Sequence, residues 1–200
     1  MEVRTSRRLL GLLAPVGYLV YRGWRGASAH DAGKGAAAAE PGAPAPLCFD
    51  LAVEIGRPPE DVYAVLSDVQ LYVETVPASG TVRMTKSPAG PTRIGTRWHE
   101  RVRVTPGYWM AVDSVATEVD PPGLLGMDFR SGWFTGHLTY TIEPVAGGSR
   151  LRQQERLRLH PPLRTFARSV DAMLRPRLVA RLEDIRRLVE GRGSASTLVT

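Results

Sequence analysis

The sequence predicts an α+β fold, with a curved antiparallel seven-stranded sheet wrapped around a long C-terminal helix and two short helices after strand 1. Three observations predict it. Between residues 47 and 159, seven runs alternate apolar and polar residues with period two, and Gly- or Pro-rich breaks separate most of them. Directly after the first run, Pro58-Pro59-Glu60-Asp61 places proline and acids where a helix begins. After Pro161-Pro162, apolar residues recur at helical spacing to about Glu190.

The first strand alternates Leu47, Phe49, Leu51, Val53 and Ile55 with Cys48, Asp50, Ala52 and Glu54, and Gly56 stops it. Cys48, the single cysteine, reads as a small filler on the strand face; alone it builds neither a disulfide nor a cysteine zinc site. Val62, Val65 and Leu66 form the inner stripe of the first short helix, and a second short helix is expected from Asp68 to Val73. The remaining strands fall at 80–87, 94–104, 108–119, 124–130, 134–143 and 149–159. Ser87-Pro88-Ala89-Gly90-Pro91, Pro106-Gly107, Pro121-Pro122-Gly123, Ser131-Gly132 and Gly147-Gly148 divide them, the pattern of a meander. The long helix carries Leu163, Phe166, Val170, Met173 and Leu174, then Leu178, Leu182, Ile185 and Val189. Pro176 between these stripes predicts a kink or a new segment.

The flanks read differently. Residues 1–25 hold an apolar run at 9–21, which suits a targeting or anchor segment; it is shorter than the roughly 20 residues a membrane span needs. Ser6-Arg7-Arg8-Leu9-Leu10 and Ala27-Ser28-Ala29 fit twin-arginine-like export, whereas Arg22 and Arg25 fit an interfacial anchor. Export, membrane anchoring and an inert extension all stay open, and with them exported, membrane-associated and cytoplasmic locations. Residues 26–46 form a Gly/Ala/Pro-rich linker, 47–190 the folded domain, and 191–200 a flexible tail. The net charge of +6 is uneven: residues 47–149 carry excess acid and 150–190 excess arginine, so the domain is polarised rather than uniformly basic.

The motif order resembles the START-like (SRPBCC) superfamily, with its polyketide cyclase/dehydrase and lipid-transport group and, more distantly, the birch pollen allergen fold. The resemblance covers 47–190. It rests on the segment from Pro59 to Asp68, on Ile94-Gly95-Thr96-Arg97-Trp98, Asp120-Pro121-Pro122, Thr139-Tyr140-Thr141-Ile142-Glu143-Pro144 and Gly147-Gly148-Ser149-Arg150-Leu151. It implies a helix-grip fold enclosing a hydrophobic cavity. These motifs mark turns and packing, and the superfamily has no universal catalytic residue to carry over. One departure is the absence of a tryptophan near the end of the second helix, where Tyr72 or Val73 stands.

Strand parity selects the candidate site. Arg97, His99, Arg101 and Arg103 share one face, and so do Arg150, Arg152, Gln154, Arg156 and Arg158; burying so many cations is prohibitive, so these faces point to solvent. Trp98 and Glu100, and Gln153 and Glu155, then point inward, as do Phe134, Leu138 and Tyr140, with His137 outward. Leu125, Met127 and Phe129 complete an apolar wall; parity in 108–119 is ambiguous because a bulge would flip it. The predicted ligand-binding set is Trp98, Glu100, Met110, Met127, Phe129, Tyr140, Gln153, Glu155, Phe166 and Met173. Inward carboxylates among apolar groups have raised pKa values, which makes Glu100, Glu155 and Tyr140 the acid–base candidates; the plainer reading puts the two glutamates near the cavity mouth, hydrated or paired with arginine.

No metal or cofactor is expected. His30, His99, His137 and His160 are scattered, no phosphate loop or dinucleotide fingerprint occurs, and no aromatic interleaves the outward arginine rows, so nucleic acid is not expected either. Two functions lead: a carrier of a hydrophobic small molecule, lipid or polyketide-like, or a cyclase/dehydratase-type enzyme using cavity carboxylates; behind them stands a membrane-tethered protein whose basic helix meets anionic lipid.

Overall fold

The computed structural model describes residues 45–68, 82–105 and 108–196. The N-terminal segment, nearly all of the linker and residues 69–73 of the second short helix lie outside the described residues. Among those described, no helix is long and apolar enough to cross a membrane.

The elements follow the expected order. Strand β1 (Leu47–Ile55) leads into helix α1 (Pro59–Ser67), whose first turn carries Glu60 and Asp61. Strands β2 (Val82–Ser87), β3 (Arg97–Thr105), β4 (Tyr108–Asp120), β5 (Leu124–Arg130), β6 (Phe134–Val145) and β7 (Gly148–Leu159) follow. A 3-10 turn (Leu163–Phe166) then precedes helix α2 (Ala167–Ser196).

The seven strands form one antiparallel sheet in the order β1-β7-β6-β5-β4-β3-β2. Successive hairpins build all of it except the β1–β7 pairing, so the first two strands of the chain become its opposite edges. The β4 register resolves the ambiguous parity. Met110, Val112 and Ser114 pair with Val102, Glu100 and Trp98, which puts them on the inner face. A bulge between Ala116 and Glu118 then inserts one residue, so that both Ala116 and Val119 point inward.

Helix α2 packs on the inner face through two groups. Leu182, Ile185 and Val189 join Ile55, Val62, Val65, Leu125, Leu138, Tyr140, Ile142 and Leu151. Leu178 joins Phe49, Leu157 and Leu159. Burying each such aliphatic side chain stabilises the fold by roughly 1.5–3 kcal/mol. The end of the helix is tied back to β1: Gly56 N donates to Glu190 Oε1 at 3.0 Å, and Ser149 Oγ donates to the Arg57 carbonyl at 2.9 Å. Gly148 permits that closeness, since a Cβ there would collide with the Ile55 carbonyl.

Four details correct the sequence reading. No new segment begins at Pro176: helix α2 continues through it, and the ring, which is exposed, forfeits a hydrogen bond to the Ala172 carbonyl on the solvent side. The helix also reaches Ser196, past residue 190, because each added residue gains a hydrogen bond once the helix exists. Met173 is 40% exposed, and the packed stripe is Leu163, Ala167, Val170, Leu174 and Leu178. Cys48 is exposed on the outer face of β1 rather than filling a packed one.

Candidate functional site

The inner face is not evenly covered. The packed groups draw α2 toward β1, β7 and β6. On β3, β4 and β5, Val102, Met110, Met127 and Phe129 face inward yet remain only half-buried. Phe129 lies across the backbone at Gly136, its register partner on β6; any Cβ at 136 would collide with the Phe129 ring. The same ring meets Phe134 edge-on, with centroids 6.0 Å apart.

Glu100 (β3) and Glu155 (β7) both sit on this inner side and are half-buried. Burial pushes both carboxyls above the ordinary glutamate range, and the Arg181 guanidinium on α2 pulls both partly back. Gln153 Nε2 adds a hydrogen bond to Glu155 Oε2 at 3.0 Å. Arg181 is thus a cation that acts on both inner carboxyls.

Sequence reasoning missed Arg181. The signal was present: it stands three residues after Leu178 and four before Ile185, on the packed stripe of α2.

Trp98, Tyr140 and Gln153 are nearly fully buried, at 4%, 2% and 0% exposure, so they form packed wall rather than open lining. Trp98 Nε1 and Gln153 Oε1 find no hydrogen-bond partner among the described residues. Phe166 is half-buried on the 3-10 turn and belongs to neither packed group. His99 and His137 face outward and bond Asp113 and Asp128, each at 2.7 Å. Among the described residues, no group of three His, Cys, Asp or Glu side chains is placed to hold a metal ion.

A seven-stranded antiparallel sheet gripping one long C-terminal helix defines the helix-grip class. The chain belongs to the family described as polyketide cyclase / dehydrase and lipid transport, which it matches over residues 46–190. No curated protein matches it. Among solved structures it is similar to the di-domain ARO/CYC StfQ from the steffimycin biosynthetic pathway, at 15% identity, covering 78% of this chain and 53% of that one, with a TM-score of 0.63. It is similar to Ara h 8.0201 at 14% identity, covering 72% and 97%, with a TM-score of 0.56. A putative uncharacterized protein from Rhizobium leguminosarum is comparable, at 14% identity, coverage of 72% and 95%, and a TM-score of 0.56. Likeness at these identities establishes the fold.

Proposed function

We propose that the protein binds a hydrophobic small molecule between α2 and the inner face of β3, β4 and β5. The observation that carries this reading is the half-buried apolar surface of Val102 and Met110, which face inward outside both packed groups, continued by Met127 and Phe129 at the edge of those groups. The family's description as polyketide cyclase / dehydrase and lipid transport supports a lipid or polyketide-like ligand. The test is native mass spectrometry of the purified protein with organic extraction, backed by titration with an apolar fluorescent probe. A co-purifying apolar species, or saturable probe binding weakened at least about tenfold by Met127→Ala, is expected. An empty protein that binds no probe ends the reading.

The cluster of Glu100, Glu155 and Arg181 favours a second reading, in which the bound molecule is also converted by cyclisation or dehydration. Here a protonated carboxyl of the pair would donate to a substrate oxygen and its partner carboxylate would accept a proton from carbon. The discriminating measurement is turnover of a polyketide-like substrate by Glu100→Gln and Glu155→Gln. Acid–base catalysis predicts a loss of about 10²–10⁴-fold in rate; a carrier keeps its affinity in both variants.

A further inference from the structure

We propose that the outer face of the β2–β3–β4 end of the sheet docks onto an anionic membrane surface, an interaction separate from the inner ligand site. The Arg83 and Arg101 guanidiniums lie over the Trp109 ring, at 5.4 and 5.9 Å from its centroid. This corrects the expectation that no aromatic interleaves the arginine rows: the aromatic comes from the neighbouring strand, which parity within one strand does not reveal.

Arg83 and Arg101 are direct register partners, and Arg97 stands further along the same face. All three are exposed, and none has a carboxylate within ion-pair distance among the described residues. Like charges directly opposite on a sheet destabilise it. At the other end of the same face two of the arginines are neutralised: Arg150 holds Glu54 at 2.7 Å and Arg152 holds Asp50 at 2.6 Å. Asp113, on the neighbouring strand β4, bonds His99.

An uncompensated cross-strand arginine pair is relieved by an external anion, and its chemistry selects the occupant. Guanidiniums attract anionic headgroups, and tryptophan is the side chain that settles at the level of those headgroups. The patch lies on an open sheet face with Trp109 as its one aromatic among the described residues. A nucleic-acid strand would instead be tracked by a groove with successive stacking rings.

The test uses the full chain and sedimentation with phosphatidylcholine vesicles, with and without phosphatidylglycerol, at low and high salt. Wild type is expected to partition onto the anionic vesicles and to be released by salt. Arg83→Ala with Arg101→Ala should weaken partitioning on the order of twenty-five-fold, roughly fivefold per arginine. Trp109→Ala should weaken it as well, and Arg150→Ala with Arg152→Ala should leave it unchanged. Binding of the Arg83/Arg101 variant within twofold of wild type overturns the proposal, as does salt-insensitive binding of wild type, which needs no variant to fold. Loss of single-stranded RNA binding with vesicle binding intact overturns it too, and assigns the face to nucleic acid.

Discussion

The two faces of one sheet carry similar charged residues under opposite conditions. On the outer face, Arg150–Glu54, Arg152–Asp50, His99–Asp113 and His137–Asp128 are exposed pairs in high dielectric, screened by salt. On the inner face, Glu100 and Glu155 share Arg181 in surroundings that penalise ionisation. The comparison teaches that the number of ion pairs says little here and that burial sets their weight. The outer pairs are many and individually dispensable. At the inner carboxyls, burial outweighs the pull of Arg181.

The sharpest way to break that contrast is to remove the cation that acts on both inner carboxyls. Arg181→Met leaves Glu100 and Glu155 without it, and should destabilise the fold by about 3–5 kcal/mol in urea unfolding at pH 8. A cost no greater than that of an outer pair would erase the distinction. Next in size, Gly136→Ala forces the Phe129 ring off the strand and should cost about 1–3 kcal/mol while reducing apolar probe binding.

A smaller effect, of opposite sign, sharpens the comparison. Glu100 binds its proton more tightly folded than unfolded, so its contribution is favourable below the unfolded pKa and is lost as pH rises through the raised folded value. Glu100→Gln removes that loss and leaves Glu155 to balance Arg181. Unfolding free energies should therefore show the variant gaining on wild type as pH rises from 4 to 8; a flat difference contradicts the burial of Glu100. Smallest of all, Arg150→Ala should leave the unfolding midpoint unchanged at high salt, where screening has already weakened the pair.

Much of this contrast was legible in the sequence. Rows of arginine at alternate positions in 97–103 and 150–158 fix which face is out, because several cations cannot be buried together; Glu100 and Glu155 follow by parity. The element order and the short helix opened by Pro59 were readable for the same local reasons. What was not legible depends on neighbours. The bulge at Thr117 is set by the pairing of β4 with β5, and Trp109 meets Arg83 only because two strands place both beside β3. Arg181 was passed over because an arginine on an apolar stripe looks like a gap until its two glutamates are seen opposite. Met173 was misplaced because the stripe drifts around the helix, leaving it exposed where Leu174 and Leu178 pack.

The pairing of the first strand with the last sets a schedule for folding. Asp50 and Arg152, which bond across β1 and β7, are 102 positions apart. Synthesis at roughly 5–20 residues per second separates their emergence by about 5–20 s. Throughout that interval β2 to β6 can zip as successive hairpins, while Phe49, Leu51 and Ile55 have no sheet to join. Strand β1 is therefore made well before its partner, and pairing the two closes the longest loop in the sheet, at an entropic cost that the shorter hairpins do not carry.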